Sequence, residues 1–517
     1  MYLTQGLHRA LQCTPEAPAT IYGDRTYTFR EHIGRIARFA AGLHSLGVTS
    51  GDRVAMLSLN SDRYAEYLLA VPWADAVLNP VNIRWSPAEI AYSLNDSGTK
   101  VLLVDDAFAA AVPALRAACP DLTTVVYAGE NDAPEGTVSY EELIATHEPV
   151  EDARRSGDEL AGIFYTGGTT GFPKGVMLSH TNMVTSAAGT VATGELLSGD
   201  ARFLHAAPMF HLADLAAWAG QVMLGGPHII VPFFEPVAVL KAIEQHRPTD
   251  VLLVPTMLQL LVDHPAVGEH DLSAMQRILY GGSPIGEGLA NRILTMFPGV
   301  RMTQAYGMTE VAPVASLLLP DDHKGATLRS GGQAAPHSEL RIVDTDGNPV
   351  PTGTVGEICV RGGHVMQGYW NKPAETAAVL RDGWYHTGDG GYLDENGFVF
   401  VVDRLKDMIV TGGENVYSAE VESALSKHPA VAQSAVIGLP SETWGETVHA
   451  VVILAAGAEV TAEELQAFCK EHIAGYKTPR SFDFVDAIPM SGAGKILKRE
   501  LRETLAGRPA AVPESIG

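Results

Sequence analysis

Basic residues are scarce in this chain: 36 lysines and arginines stand against 60 aspartates and glutamates, a formal net charge of −24. That acidic excess argues against a nucleic-acid-binding surface, and any anionic ligand must be held by a few local cations in a repulsive field. Cysteine is scarcer still. Cys13, Cys119, Cys359 and Cys469 are scattered and form no C-x-x-C pair. This speaks against a disulfide framework or zinc site and predicts packed thiols in a reducing compartment. No apolar run approaches the length that spans a bilayer, and the opening "MYLTQGLHRALQ" has neither a long apolar region nor a small-residue cleavage signal. The expectation is a cytoplasmic protein without a membrane span or a nucleic-acid partner; a homodimer is compatible with the sequence. Internal repeats and low-complexity tracts are also missing.

What is present is the makings of two domains. The 517 residues, 46% apolar and 19% charged, suffice for large cores of ordinary globular composition. Over the first 400 residues helical and strand patterns alternate, which predicts an α/β architecture. Thr28 and Glu31 form a capping-box pattern ahead of Ile33, Ile36, Ala40 and Leu43, with Gly47 as the stop. Ser86-Pro87-Ala88-Glu89 opens another helix, with proline at its favoured first position. "DRVAMLSL", "KVLLVDD", "HIIVPFF" and "DVLLVPT" read as buried strands. "GYLDENGFVFVVDRLKD" reads as a hairpin turning at Asn396-Gly397. Near Asp403 a boundary is expected, between a large α/β domain over 1–403 and a small, mobile α+β domain over 404–517. In the latter, Thr461 and Glu464 cap a helix, and the tail after about 505 is expected to fray.

The stretch "YTGGTTGFPKG" (165–175) gathers glycines and threonines around one cation, Lys174. Glycines let backbone N–H groups approach a ligand, hydroxyls add donors, and lysine adds charge, a set suited to an oligophosphate. The Walker pattern fits poorly, because Gly175 follows Lys174 and no hydroxyl stands ready for magnesium. Other residues admit bland readings. Tyr306 reads as core, His211 as a core or helix-start residue, Asp389 as a turn aspartate, and Lys495 as part of a solvated basic face with Lys498 and Arg499.

Seven motifs nevertheless follow one another in order: "YTGGTTGFPKG", "PMFHLAD", "YGGSPI", "QAYGMTE", "WYHTGD", "DRLKDMIVTGGENVYSAEVE" and "PMSGAGK". From about residue 20 to about 500 the chain resembles the acyl-CoA synthetases of the acyl-adenylate-forming superfamily. The resemblance implies ATP, Mg²⁺ and coenzyme A as cofactor and substrates, and a carboxylic acid converted through acyl-AMP to its CoA thioester. It gives the ATP phosphates to Thr166, Gly167, Gly168, Thr169, Thr170 and Lys174; Gly167 stands where the family usually has serine, so one hydroxyl contact is missing. It assigns the adenine slot to Gly281, Gly282 and Ser283, stacking on the base to Tyr306, and further ATP/AMP contacts to Gln304, Ala305 and Gly307. Thr309 would touch the α-phosphate, Glu310 would bind magnesium, and Asp389 and Arg404 would hold the ribose. Lys495 would meet the reacting carboxylate and α-phosphate, and His211 would gate the acyl pocket. Arg84, Gly412, Gly413, Trp444, Tyr476 and Lys477 would contact coenzyme A, and Lys406 would be the hinge, near 404–407.

The acid is read from the pocket segments. "DLAAWAG", "GGSPI" and "TEVAPVA" are mainly small or apolar, with Asp214 and Glu310 the exceptions. His211 follows Phe210 where amino-acid-activating relatives of this kind carry aspartate. A medium- or long-chain fatty acid is therefore expected first, and an aryl or hydroxycinnamic acid second. An acyl-AMP ligase loading a carrier protein, an oxygen-consuming luciferase-like enzyme and a regulator without turnover are the further alternatives.

Overall fold

The expected capping devices form. In a computed structural model describing residues 1–167, 173–283, 285–405, 407–412, 414–441, 443–490 and 496–505, Thr28 and Glu31 bond reciprocally at the start of the helix Phe29–Ser45. Gly47 just beyond it takes φ +86°, a value that suits glycine. Ser86 and Glu89 cap Pro87–Ser97, and Thr461 and Glu464 cap Ala462–His472. The chain separates into two compact units. One comprises Met1–Leu340, Cys359–His386 and Asn396–Val399; the other comprises Arg341–Ile358, Thr387–Glu395 and Phe400–Gly517.

The larger unit contains two sheets. An eight-stranded sheet runs in the order Gly368–Tyr369, Lys174–Ser179, Leu160–Thr166, Val77–Pro80, Arg53–Leu57, Val101–Val104, Thr124–Tyr127, Val138–Ser139. Its central strands are parallel, and Val54, Ala55, Met56 and Leu57 of one and Val101, Leu102, Leu103 and Val104 of the next are all buried, as "DRVAMLSL" and "KVLLVDD" predict. A nine-stranded sheet carries His228–Ile230, Phe203–His205, Asp250–Leu252, Arg277–Gly281 and Arg301–Tyr306 as neighbouring parallel strands. One core joins the two sheets: Val54, Met56 and Leu103 from the first and Ala19 and Ile230 from the second pack with Ile36, Leu68, Val184 and Trp218 from four helices. The helix Asp62–Trp73 is buried along its whole length.

In the smaller unit a sheet of Glu414–Val416, Ile409–Thr411, Gly445–Leu454, Val431–Ser441 and Ser481–Phe484 is covered on both faces. Val436, Val448, Ala450 and Val452 pack with Val421, Leu425, Leu465 and Cys469, while Ala435, Ile437, Leu439 and Val451 pack with Leu501 and Leu505. That alternation is the period of two expected of a strand. All four cysteines are free. Three are buried, but Cys13, expected as a packed thiol, is exposed because it ends the helix Gln5–Cys13 on its outer side. Among the described residues no helix is long and apolar enough to cross a membrane.

Candidate active site

Two paired strands flank the glycine- and threonine-rich stretch. Leu160–Thr166 pairs antiparallel with Lys174–Ser179, Thr166 opposite Lys174. Gly168, Thr169 and Thr170 lie outside the described residues. At Gly167 an added Cβ would meet nothing within 4 Å among the described residues, so the serine of the resembling family would fit there. Lys174 makes no ion pair with a described carboxylate; its Nζ instead lies 5.0 Å from the ring centroid of Tyr369. The Tyr369 hydroxyl donates to Glu310 Oε1 at 2.9 Å, and Met366 N donates to the Glu310 carbonyl at 2.9 Å. No other hydrogen bond from a described residue reaches the Glu310 carboxylate. A half-buried carboxylate with an oxygen to spare suits a hard divalent cation, which takes oxygen ligands.

Glu310 and Thr309 sit in the short turn Thr309–Val311 after the strand Arg301–Tyr306. Gly307 between them is required by space: a Cβ there would lie 1.9 Å from the Pro313 carbonyl oxygen. The parallel strand Arg277–Gly281 sets Gly281 opposite Ala305 and Tyr280 opposite Gln304. A Cβ on Gly281 would fall 2.5 Å from the Ala305 oxygen, so the two backbones meet closely. Gly282 has φ +80°, and Ser283 is exposed. Gln304 is buried and accepts from the Tyr280 hydroxyl at 3.2 Å. Tyr306 packs against the main core yet remains half-buried at the carboxyl end of its strand, the end where open α/β sheets bind ligands. The structure therefore gathers Gly281, Ala305, Tyr306, Glu310 and Lys174 around adjoining strand ends and their loops.

His211 is the N-cap of Leu212–Leu224, its Nδ1 accepting from Ala213 N at 3.3 Å. The helix-start reading is thus realised. Asp214, an exception in the expected pocket, is fully buried, with Oδ2 2.7 Å from His205 Nδ1; His205 Nε2 in turn lies 2.9 Å from His228 Nδ1. Burial, with His205 beside it, holds the His228 pKa well below the ordinary histidine range. Arg84 is exposed on a loop, its backbone N–H donating to Asn82 Oδ1 at 3.0 Å.

Within the smaller unit, Asp389 and Arg404 come together as an ion pair of 2.6 Å, the carboxylate almost completely buried. Next to Arg404, Asp403 Oδ2 accepts from Ser418 N and Oγ at 2.5 Å each and so caps Ser418–Leu425. Gly412, at φ +60°, donates through N–H to the Trp444 carbonyl at 2.8 Å and lies under that indole, where a Cβ would be 2.9 Å from Cε3. The Arg480 guanidinium covers the same ring at 4.0 Å. Lys477 Nζ is held by both Glu420 oxygens at 2.8 Å; burial opposes its charge, but Glu420 outweighs this and raises its pKa. Tyr476 is exposed beside it, 5.7 Å from that ammonium. Lys406, Gly413 and Lys495 lie outside the described residues.

Residues 7–370 match the model of the AMP-binding enzyme family and residues 420–495 that of the AMP-binding enzyme C-terminal domain. The chain belongs to the AMP-binding enzyme family, which bears out the resemblance to the acyl-CoA synthetases. It is 42% identical over 495 residues to a feruloyl-CoA synthase of Amycolatopsis sp, covering 96% of this chain and 97% of that one. It is 36% identical over 505 residues to a fatty acid–[acyl-carrier-protein] ligase of Streptomyces coeruleorubidus, covering 96% and 95%. Among solved structures, the o-succinylbenzoate CoA synthetase of Bacillus subtilis in complex with its acyl-adenylate intermediate superposes with a TM-score of 0.86 at 32% identity, covering 98% and 99%.

Two residues that sequence reasoning passed over stand out. Tyr369 touches both Lys174 and Glu310, and Arg480 lies on Trp444. A tyrosine on a two-residue strand carries no local signal of either contact; Arg480, four residues past Tyr476, would have been found by asking which nearby cation an exposed tryptophan attracts.

Proposed function

We propose that this chain is an ATP-dependent carboxylic acid:CoA ligase acting through acyl-AMP. The observation that carries the reading is Lys174 and Glu310 set against one tyrosine, beside the strand ends that bear Gly281 and Tyr306. Lys174 would neutralise the ATP phosphates and Tyr306 would stack on adenine. The Asp389 carboxylate, an acceptor-only group, would take the ribose hydroxyls with Arg404 in support. Glu310 would hold a Mg²⁺, whose charge would offset the negative charge developing as pyrophosphate departs. The carboxylate oxygen of the acid attacks the α-phosphorus, with Thr309 and Lys495 at the developing charge. The coenzyme A thiol then attacks the acyl carbon, giving up its proton, and AMP leaves. Trp444 and Arg480 supply an aromatic and cationic surface suited to the nucleotide end of coenzyme A, with Gly412, Gly413, Tyr476, Lys477 and Arg84 assigned beside its path. The residues from 404 onward act as a mobile lid turning at Lys406, and His211 gates the acyl channel.

The acid has an apolar tail without an ammonium. Asp214, the remaining acidic candidate for holding an ammonium, is engaged by His205, and each buried methylene adds about 0.8 kcal/mol. A hydroxycinnamic acid such as ferulate is favoured by the 42% identity to feruloyl-CoA synthase. A medium- or long-chain fatty acid is the second reading, supported by the apolar segments and the fatty-acid ligase relative. The test is AMP release with ferulate, benzoate, laurate, octanoate, acetate and phenylalanine, with coenzyme A and with a holo carrier protein. Best turnover with ferulate or laurate and coenzyme A is expected. Best turnover with acetate or phenylalanine overturns the pocket, and dependence on the carrier protein overturns the thiol acceptor. Lys495→Ala should abolish acyl-AMP formation yet leave thioester formation from supplied acyl-AMP intact; equal loss of both steps removes this lysine from the adenylation role.

A further inference from the structure

Tyr369 lies on the strand Gly368–Tyr369, opposite Val176 on Lys174–Ser179. Side chains alternate along a strand, so Lys174 and Val176 share a face, and Tyr369 reaches Lys174 along the diagonal. The segment around it is tied at successive points. Met366 N donates to the Glu310 carbonyl at 2.9 Å, Tyr369 N to Thr376 Oγ1 at 2.8 Å, and Trp370 N to the Gly175 carbonyl at 2.7 Å. Gly368 at φ +143° leaves no room for a side chain, since a Cβ there would lie 2.7 Å from Thr376 Cγ2. Tyr369 is 7% exposed.

We infer that Tyr369 is a positioning residue that couples the two charged groups of the site: its hydroxyl engages Glu310 Oε1, leaving Oε2 for a divalent cation, while its ring face holds the Lys174 ammonium. The inference rests on the roles proposed above for Glu310 and Lys174. Its physical basis is twofold. A carboxylate already oriented by a donor loses less freedom when a cation binds. An aromatic face attracts an ammonium without neutralising it, whereas a carboxylate partner would cancel the charge that a phosphate needs.

The test measures binding rather than turnover. Mn²⁺ is titrated into the enzyme with an ATP analogue whose α,β bond cannot be cleaved, and free Mn²⁺ is read by electron paramagnetic resonance. Analogue binding is measured separately in the presence of a chelator. Tyr369→Phe keeps the ring and should weaken Mn²⁺ about ten- to a hundredfold, the worth of one hydrogen bond to a charged group, with metal-free analogue binding within about twofold of the parent. Tyr369→Leu should in addition weaken metal-free analogue binding about threefold, because the ammonium loses its ring. If the leucine variant does not fold, the phenylalanine variant alone decides, its metal-free binding serving as the folding control. Glu310→Gln separates the two levels. Should it bind Mn²⁺ as the parent does, Glu310 is not the metal ligand and the underlying reading fails. If Glu310→Gln loses Mn²⁺ while Tyr369→Phe does not, the coupling role alone is overturned.

Discussion

Two groups of charged side chains in the larger unit are built to opposite ends. In the first, guanidinium and carboxylate groups are cross-paired. Arg35 Nε meets Glu66 Oε1 at 2.5 Å and Arg35 Nη1 meets Glu141 at 2.9 Å; Arg63 Nε takes the other Glu141 oxygen at 2.9 Å; Arg25 spans Asp62 at 2.5 Å and Glu130 at 2.8 Å. In the second, Lys174 and Glu310 share a tyrosine and no ion pair joins them. The first group spends its fields internally and binds the helices Phe29–Ser45, Asp62–Trp73 and Tyr140–Thr146 together. In the second, neither charge meets one of opposite sign among the described residues. Burial of charge, then, is informative only together with the count of partners.

Breaking the open group should cost activity and leave the fold alone. Glu310→Ala is expected to lower acid-dependent pyrophosphate release about a thousandfold, the scale on which catalytic charge stabilisation is lost. Its thermal unfolding should match the parent. A large fall in melting temperature with modest loss of activity would make Glu310 a structural acid like Glu66.

Breaking the closed group should do the reverse. Glu66 is wholly buried and accepts from the Tyr140 hydroxyl at 2.6 Å and from Arg35, with His32 Nδ1 3.8 Å away. Glu66→Gln leaves a buried guanidinium short of its counter-charge and should cost about 3 kcal/mol in urea unfolding. Specific activity of the folded fraction should be unchanged. A loss of activity without a loss of stability would place Glu66 in the site.

The same residue sharpens the comparison through pH. Burial raises the Glu66 pKa, but His32 and Arg35 outweigh this and bring it down to about 2 from 4.5. A carboxylate depressed on folding adds stability above its unfolded pKa, and that contribution is lost as pH falls from about 4.5 toward 2. The parent should lose roughly 3 kcal/mol more than Glu66→Gln across that window, at about 1.4 kcal/mol per unit. Parallel stability curves for the two proteins would refute the assignment.

The smallest effect concerns the loop beside Lys174. Gly167 is outside the left-handed region and has open space around it among the described residues, so Gly167→Ser introduces a hydroxyl without strain. It should tighten ATP about threefold, the worth of one neutral hydrogen bond. Unchanged ATP affinity would show that the family's serine at this place contributes nothing here.

Periodicity, caps and glycines determined much of this protein by themselves. The capping boxes at Thr28, Ser86 and Thr461, the buried strands and the hairpin at Asn396-Gly397 follow from interactions a few residues apart, and such interactions are written in consecutive letters. The order of seven motifs likewise identified the family. The tertiary structure alone decided which charges meet. Asp214 binds His205 within the larger unit, Lys477 turns to Glu420 within the smaller one, and Tyr369 reaches a lysine 195 positions before it and a glutamate 59 before it. Cys13 ended exposed because a helix terminus, and not residue type, set its surroundings. Pairings of this kind depend on strand order and register, which bring together residues that no local pattern links.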